Sequence, residues 1–218
     1  MLASANLVVA SMSTPIRLSS QERKSAILSA AIRLFSERGF RGVTTRDLAS
    51  SLGVSEPVLY QHFPSKKDLY KAIIEASMDQ NYFEALEGLE RMAKLGDDEQ
   101  FFHHIATKMI EWHEQQPELI RLKMFSALEG HELMEEFHER QARPFMQIIT
   151  GYIENRMQNG AFLNVNPIAA ALSFCGMMMH FCQSTILFRS ALCQTLPREE
   201  MVNDMVQIFL NGIRKTKS

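Results

Sequence analysis

The sequence predicts an all-α protein, and three observations predict it. Ten glycines and seven prolines in 218 residues are too few for a β-protein, which turns every eight to twelve residues or so. Apolar residues recur at helical spacing along most of the chain. Ser, Thr, Asp or Asn stands just before many of these runs, where a side chain can accept from the free N–H groups of a helix start. A content of 46% hydrophobic and 22% charged residues excludes disorder and collagen and describes a globular chain. The expected organisation is a flexible extension over 1–19, a three-helix unit with a helix-turn-helix over 20–66, and a helical remainder over 67–218, about nine helices in all.

The first helix opens at Ser19-Ser20-Gln21-Glu22, where Ser and the Glu three residues later close a capping box. Ile27, Ala31, Leu34 and Phe35 form its apolar face, and Gly39 stops it. Thr44-Thr45-Arg46-Asp47 caps a second helix that carries Leu48, Ala49 and Leu52 and ends at Gly53. Ser55 caps a third, whose start Glu56-Pro57 tolerates proline because first-turn N–H groups have no helical partner. Pro64 closes it. Ser65 and Asp68 begin a fourth, which runs through Leu69, Ile73 and Ala76 to Leu95-Gly96 and links the two parts.

A fifth helix starts at Asp97-Asp98, turns Phe101, Ile105, Met109 and Trp112 inward, and ends before Pro117. Glu118 to Gly130 is the sixth. Glu132 to Asn159-Gly160 is the seventh, with a kink at Pro144. Asn166-Pro167 caps an eighth that reaches about Arg189, and Arg198 to Arg214 is the ninth.

The second and third helices, with a glycine turn between them, fit inside twenty residues. This is helix-turn-helix spacing: the second member can lie in the major groove, about 12 Å wide, while the first spans the backbone. A plain helical hairpin has the same geometry. Charge separates the two readings. Residues 1–71 carry ten Lys/Arg against five Asp/Glu, net +5, whereas residues 72–218 carry thirteen against twenty, net −7. A basic third on an acidic body points to a polyanion at one end.

The run Ile27-Leu28-x-Ala30-Ala31-x-x-Leu34-Phe35-x-Glu37-x-Gly39-Phe40, then Thr44-Thr45-Arg46-Asp47-Leu48-Ala49, then Gly53-Val54-Ser55-Glu56-Pro57-Val58-Leu59-Tyr60-Gln61-His62-Phe63-Pro64-Ser65-Lys66 resembles the DNA-binding domain of the tetracycline-repressor (TetR) family. The resemblance covers residues 21–71; the rest is similar only in being helical. It implies double-stranded DNA as partner, a palindromic operator and a homodimer. By that resemblance, Thr45 offers hydroxyl and N–H to a phosphate, and Arg46 reaches a phosphate or a guanine edge. Glu56, Pro57, Val58, Tyr60 and Gln61 match groove-facing positions. Tyr60 and His62 also suit phosphate contacts, and Lys66 adds charge at a helix N-terminus. Glu56 either accepts from a cytosine amino group or turns to solvent. Leu48, Ala49, Val54, Leu59 and Phe63 hold the angle between helices and do not touch DNA.

The eighth helix is apolar around much of its circumference, with Ala169, Ala170, Ala171, Gly176 and the Met177-Met178-Met179 cluster, and needs cover on more than one side. The resemblance implies that the eighth and ninth helices pair with those of a second copy, so that two recognition helices read one palindrome. An effector pocket is expected among helices four to eight, lined by Met109, Trp112, Met124, Phe125, Leu128, Phe145, Phe174 and Met178. Fourteen Met and fourteen Phe favour a small apolar or amphipathic effector, which releases DNA by population shift. Ordinary core accounts for the same residues.

Other classes find less support. Cys175, Cys182 and Cys193 have no metal-type pairing and read as reduced thiols of a cytoplasmic, nucleoid-associated protein. The opening MLASANLVVAS lacks a basic region, and the MSTPIRLSS context makes Met12 an alternative start. The apolar stretch near 167–188 is broken by Ser173, His180, Gln183, Ser184 and Thr185, so no membrane span is expected. Glu135-x-x-His138 is half of a di-iron pattern without its second pair, and His131-Glu132-x-x-Glu135 lacks the second His of a zinc site. His103, His104 and His113 read as surface or core-edge histidines rather than metal ligands. No cofactor, metal or catalytic residue is expected. The rival readings are a metal-dependent helical-bundle enzyme and a helical interaction module without DNA binding.

Overall fold

The computed structural model describes residues 19–77, 80–130, 133–195 and 197–215. The 1–18 part of the expected extension, the alternative start at Met12, and the His131 and Glu132 of the incomplete zinc pattern lie outside them. Helices account for most of the described residues, and the pairing of Phe162 with Arg214 is an isolated bridge. The helices are α1 (Ser20–Arg38), α2 (Thr45–Ser51), α3 (Glu56–His62), α4 (Lys66–Ala76), α5 (Gln80–Leu95), α6 (Asp98–Gln115), α7 (Pro117–Leu128), α8 (Leu133–Phe137), α9 (Arg143–Gln158), α10 (Pro167–Cys182) and α11 (Arg198–Ile213).

Among the described residues eleven α-helices stand where nine were expected, because two long ones are interrupted. The predicted fourth helix stops at Ser77, whose hydroxyl turns back to the Ile74 carbonyl at 2.7 Å and accepts from Gln141 Nε2 at 2.6 Å. A serine that satisfies itself locally competes with helix continuation. The predicted seventh helix divides into α8 and α9 around a π-helical turn, His138–Ala142. This widened turn lies just before Pro144, which has no N–H to give the preceding turn. A second π-turn, Gln183–Leu187, extends α10, and Arg189 at φ 48° ends it.

Two apolar cores result. The first joins the small N-terminal helices to the body: Ile27, Leu34 and Phe35 of α1 and Leu48 of α2 pack with Leu59, with Leu69, Tyr70 and Ile73 of α4, and with Leu119 and Leu122 of α7. The second centres on α6, whose Phe101 and Phe102 meet Tyr152, Phe162, Phe174 and Phe209. The N-terminal head therefore does not stand apart; α1 lies along α7.

α10 buries Ala170, Ala171, Phe174, Met178, Phe181 and Cys182 and leaves Ile168, Ala169, Leu172 and Gly176 exposed. Contrary to expectation, Pro167–Leu187 is long and apolar enough to cross a membrane by length and composition, because the Ser, Thr, Gln and His that interrupt it are uncharged. In the fold its inner face is core. The three cysteines are free thiols, and burial pushes Cys175 and Cys182 up to about 12, which keeps both protonated and poorly nucleophilic.

Candidate nucleic-acid interface

The α1–α2 connection is built first, because it sets where α2 and α3 stand. Ser19 and Glu22 form the expected capping box, and Gly39 ends α1 at φ 72°, ψ 174°, a conformation open in practice only to glycine. Glu129, at the C-terminal end of α7, then holds the turn: its carboxylate accepts from Phe40 N at 3.1 Å and Arg41 N at 3.1 Å, and its carbonyl accepts from Arg41 Nη2 at 3.1 Å. A carboxylate at the negative end of a helix is unfavourable unless donors meet it. Here two amides do.

Thr44 and Asp47 cap each other as expected, with Asp47 N donating to Thr44 Oγ1 at 3.1 Å and Thr44 N to Asp47 Oδ2 at 2.8 Å. The Thr44 hydroxyl and amide hold the Asp47 carboxyl below the usual carboxylate range. Ser55 behaves differently. Its side chain makes no cap bond to α3; the second position of the helix is Pro57, which has no N–H, and Val58 N donates to the Ser55 carbonyl instead, at 3.0 Å.

Leu59 is the buried residue of α3, and Phe63, Leu48 and Ala49 are buried around it; Val54 is partly exposed. On the opposite side Pro57, Tyr60 and Gln61 are exposed, with Val58, Glu56 and His62 half-buried. The Arg46 side chain is 86% exposed. Of the five positions expected to face the groove, α3 thus leaves Pro57, Tyr60 and Gln61 exposed and Glu56 and Val58 half-buried.

Four of the expected site residues have partners inside the protein. Thr45 Oγ1 donates to Glu56 Oε2 at 2.7 Å, and Arg46 Nε lies 3.9 Å from Glu56 Oε1. Glu56 therefore ties α2 to α3, a role outside the two foreseen for it. The Lys66 ammonium turns inward, donates to the Phe40 carbonyl and sits 4.0 Å from the centre of the Phe40 ring. Burial lowers its pKa, against an opposing pull from Glu129 and then Asp47.

The eight residues expected to line an effector pocket do not share one cavity. Met109, Phe145, Phe174 and Met178 belong to the body core. Trp112 packs on the head core, Phe125 lies against Gly39, and Leu128 is 85% exposed. Met124 is half-buried. Helical spacing identified an apolar stripe without telling which of two cores each residue joins. An open cleft of about 460 Å³ lies instead between α5, α6 and α11, lined by Met92, Gln100, His103, His104 and Gln207. Among the described residues no group of three His, Cys, Asp or Glu is placed to hold a metal.

Composition and spacing missed Glu129 and Lys123. The signal for Glu129 was an acid at a helix C-terminus. Lys123 of α7 lies with Nζ 4.1 Å from the Trp112 ring centre and 3.8 Å from that of Phe137, and burial pushes its pKa down to about 7. Beside it, burial holds His113 down to about 4 despite a bond to the Met109 carbonyl. In the unfolded chain Lys123 keeps its proton to about pH 10.4, so between pH 7 and that value unfolding takes up a proton and stability rises with pH. Below pH 7 the folded state carries the full cost of the enclosed charge. Lys123→Met should flatten that rise and stabilise the protein at pH 6 by about 1–3 kcal/mol, net of the lost cation–π attraction; thermal unfolding at pH 6 and pH 9 measures both.

Residues 27–73 match the family described as bacterial regulatory proteins, tetR family, and residues 103–212 match the AefR-like transcriptional repressor C-terminal domain. The nucleoid occlusion factor SlmA of Escherichia coli (strain K12 / DH10B) is 30% identical over 182 residues, 77% of this chain and 86% of that protein. The HTH-type transcriptional activator FasR of Mycolicibacterium smegmatis is 43% identical over 63 residues. The chain spans 29% of the length of FasR and 63% of that of Pasteurella multocida SlmA. AibR, solved in complex with isovaleryl coenzyme A and operator DNA, superposes with a TM-score of 0.68 at 22% identity, covering 86% of this chain and 97% of that one. FadR from Bacillus subtilis, solved in complex with stearoyl-CoA, does so with 0.63 at 15%, covering 87% and 99%. Both family matches, one on each core, and a relative aligned over most of its length lead to one assignment: the chain belongs to the tetR family of bacterial regulatory proteins.

Proposed function

We propose that this chain is a DNA-binding transcriptional regulator, acting as a ligand-inducible repressor in the cytoplasm on a palindromic operator. Residues 20–66 serve as the DNA-binding domain and residues 67–218 as the ligand-binding and dimerisation domain. The observation that carries the reading is α3, anchored by Leu59 with Pro57, Tyr60 and Gln61 outward, beside the exposed Arg46 of α2. A dimer through α10 and α11 is supported by exposed Ile168, Leu172 and Ile208. One short helix contacts few bases, and a two-fold axis supplies the second. That AibR and FadR were solved with acyl-coenzyme A ligands supports an apolar or amphipathic effector. Regulation rather than catalysis is the family's work.

Arg46, Pro57, Val58, Tyr60, Gln61 and His62 are assigned to the DNA contact. Thr45 joins them through its N–H, and through its hydroxyl once Glu56 releases it. Lys66 is assigned through its N-terminal amide rather than its ammonium. Selection of bound fragments from genomic DNA tests the function, and enrichment of a palindrome is the expected result. No enrichment over an Arg46→Ala, Tyr60→Ala protein would refute it. On the selected site, Gln61→Ala should weaken binding by about 1–3 kcal/mol at one base position, and Arg46→Ala should lower the salt slope by roughly one if it meets a phosphate. Lys66→Ala should reduce stability and leave that slope nearly unchanged, as read by thermal unfolding and salt titration.

A further inference from the structure

Residues 45–62, which span α2, the turn and α3, carry one Arg and no Lys against two acids, Asp47 and Glu56, so the stretch is net −1 with His62 neutral. The other nine Lys and Arg behind the +5 of residues 1–71 lie outside it, and the Lys66 ammonium is turned inward to the Phe40 carbonyl. Asp47 is committed to Thr44, whose amide and hydroxyl both donate to it. Glu56 is committed to the reading face itself. It accepts from the Thr45 hydroxyl at 2.7 Å and stands 3.9 Å from Arg46 Nε, its side chain 37% exposed beside an Arg46 that is 86% exposed. The one Arg of the reading unit therefore has a carboxylate beside it in the free protein.

Affinity for DNA of any sequence comes from Lys and Arg that neutralise phosphates. A carboxylate in the same face opposes it twice, by repelling the phosphates and by competing with them for Arg46 and the Thr45 hydroxyl. The competition is loose, because an exposed ion pair is weak, and a DNA site that satisfies Glu56 can open it. On a base edge the group that does so is an amino hydrogen, cytosine N4 foremost. Where no such donor is offered, Glu56 keeps its hold on Arg46 and Thr45, and the wrong sequence is penalised rather than the right one merely favoured. We propose that Glu56 is a specificity-determining counter-ion: it holds Arg46 and the Thr45 hydroxyl off the phosphates of random-sequence DNA and gives them up where a base amino group takes their place. This deepens the DNA-binding reading above and rests on it.

Glu56→Gln is the decisive variant, because the amide keeps an acceptor for Thr45 and removes the charge. Full-length parent and variant, compared for folding by circular dichroism and thermal unfolding, are titrated against a labelled duplex of random sequence and against the palindrome that the parent selects. Glu56→Gln should bind the random duplex about three- to tenfold more tightly at ~0.1 M salt, with a salt slope steeper by up to roughly one. The ratio of palindrome to random-duplex affinity should fall at least roughly threefold. In an Arg46→Ala background the gain on random DNA should shrink, since Arg46 is what the substitution frees. A merely structural tie predicts the reverse, as a looser α2–α3 pair binds every duplex less well. A random-duplex affinity that is unchanged or lowered in Glu56→Gln, an unchanged ratio, or an equal gain with Arg46→Ala overturns the counter-ion and leaves the DNA-binding reading standing. A parent that selects no palindrome and binds the random duplex no better than the Arg46→Ala, Tyr60→Ala protein removes that reading, and the counter-ion with it.

Discussion

Replacing Asp98 with alanine should destabilise the protein by about 3–5 kcal/mol, the loss expected when one partner of a buried ion pair is removed. Asp98 stands in the first turn of α6 and is 8% exposed. Its Oδ1 accepts from Tyr152 Oη at 2.7 Å and from Arg156 Nε at 2.7 Å, and its Oδ2 from Arg156 Nη2 at 3.1 Å, with Arg214 Nε at 3.7 Å. One carboxylate thus joins α6 to α9 and to the end of α11. Without it the Arg156 guanidinium and the Tyr152 hydroxyl remain in place with nothing to accept their protons. Burial and then the bond to Asp98 raise the Tyr152 pKa well above its ordinary value, so the phenol stays a donor throughout the accessible pH range. Asp98→Asn keeps one acceptor oxygen and loses the charge, so its loss should be smaller. Asp98→Leu combined with Arg156→Met should recover part of the loss, because no charge is then stranded. Urea unfolding of the four proteins measures the series. A loss below about 1 kcal/mol for Asp98→Ala would mean that the Arg156–Asp98 contact is no stronger than a surface pair.

Sequence spacing identified most of the features that are decided within three or four residues, the unformed side-chain cap at Ser55 excepted. Ser19 with Glu22, Thr44 with Asp47, Ser65 with Asp68, and Asn166 with Ala169 are caps whose two partners are near neighbours, and all four are formed. The same locality lets helical period place Leu59 of α3 inward and Tyr60 and Gln61 outward. What escaped depends on partners far along the chain. The break at Ser77 is secured by Gln141. Asp98, taken with Asp97 as a helix-start acid, is indeed in the first turn but points to Tyr152 and Arg156 rather than to its own amides. Lys66 carries the charge of a DNA contact, yet its nearest acceptor is the Phe40 carbonyl, because Phe35, Phe40 and Tyr70 make an aromatic shelf that its long stem can cross. The effector list failed to converge for a related reason. Trp112 and Met109 are three residues apart on α6 and face different cores, and an apolar stripe says nothing of which neighbour covers it.

The second large effect is expected at Gly39, where Gly39→Ala should cost about 2–4 kcal/mol through two separable causes. The backbone there has φ 72°, which strains any residue with a Cβ. That Cβ would also stand 2.4 Å from Glu129 Oε1 and 3.0 Å from Phe125 Cδ1. The carboxylate would have to withdraw, and with it the bonds to Phe40 N and Arg41 N that hold the head on α7. Glu129→Ala alone should cost less, about 1–3 kcal/mol, because charge-assisted bonds are lost without backbone strain. The two changes should not be additive. In a Glu129→Ala background the clash with the carboxylate disappears while the strain and the approach to Phe125 remain, so Gly39→Ala should cost at least about 1 kcal/mol less there than in the parent protein, a coupling typical of residues in contact. Equal costs in both backgrounds would show that Glu129 does not hold the turn. The same pair of variants tests whether the turn transmits anything to DNA. If α7 positions the recognition helix through Glu129, Glu129→Ala should weaken operator affinity while leaving the salt slope unchanged, since no phosphate contact is removed.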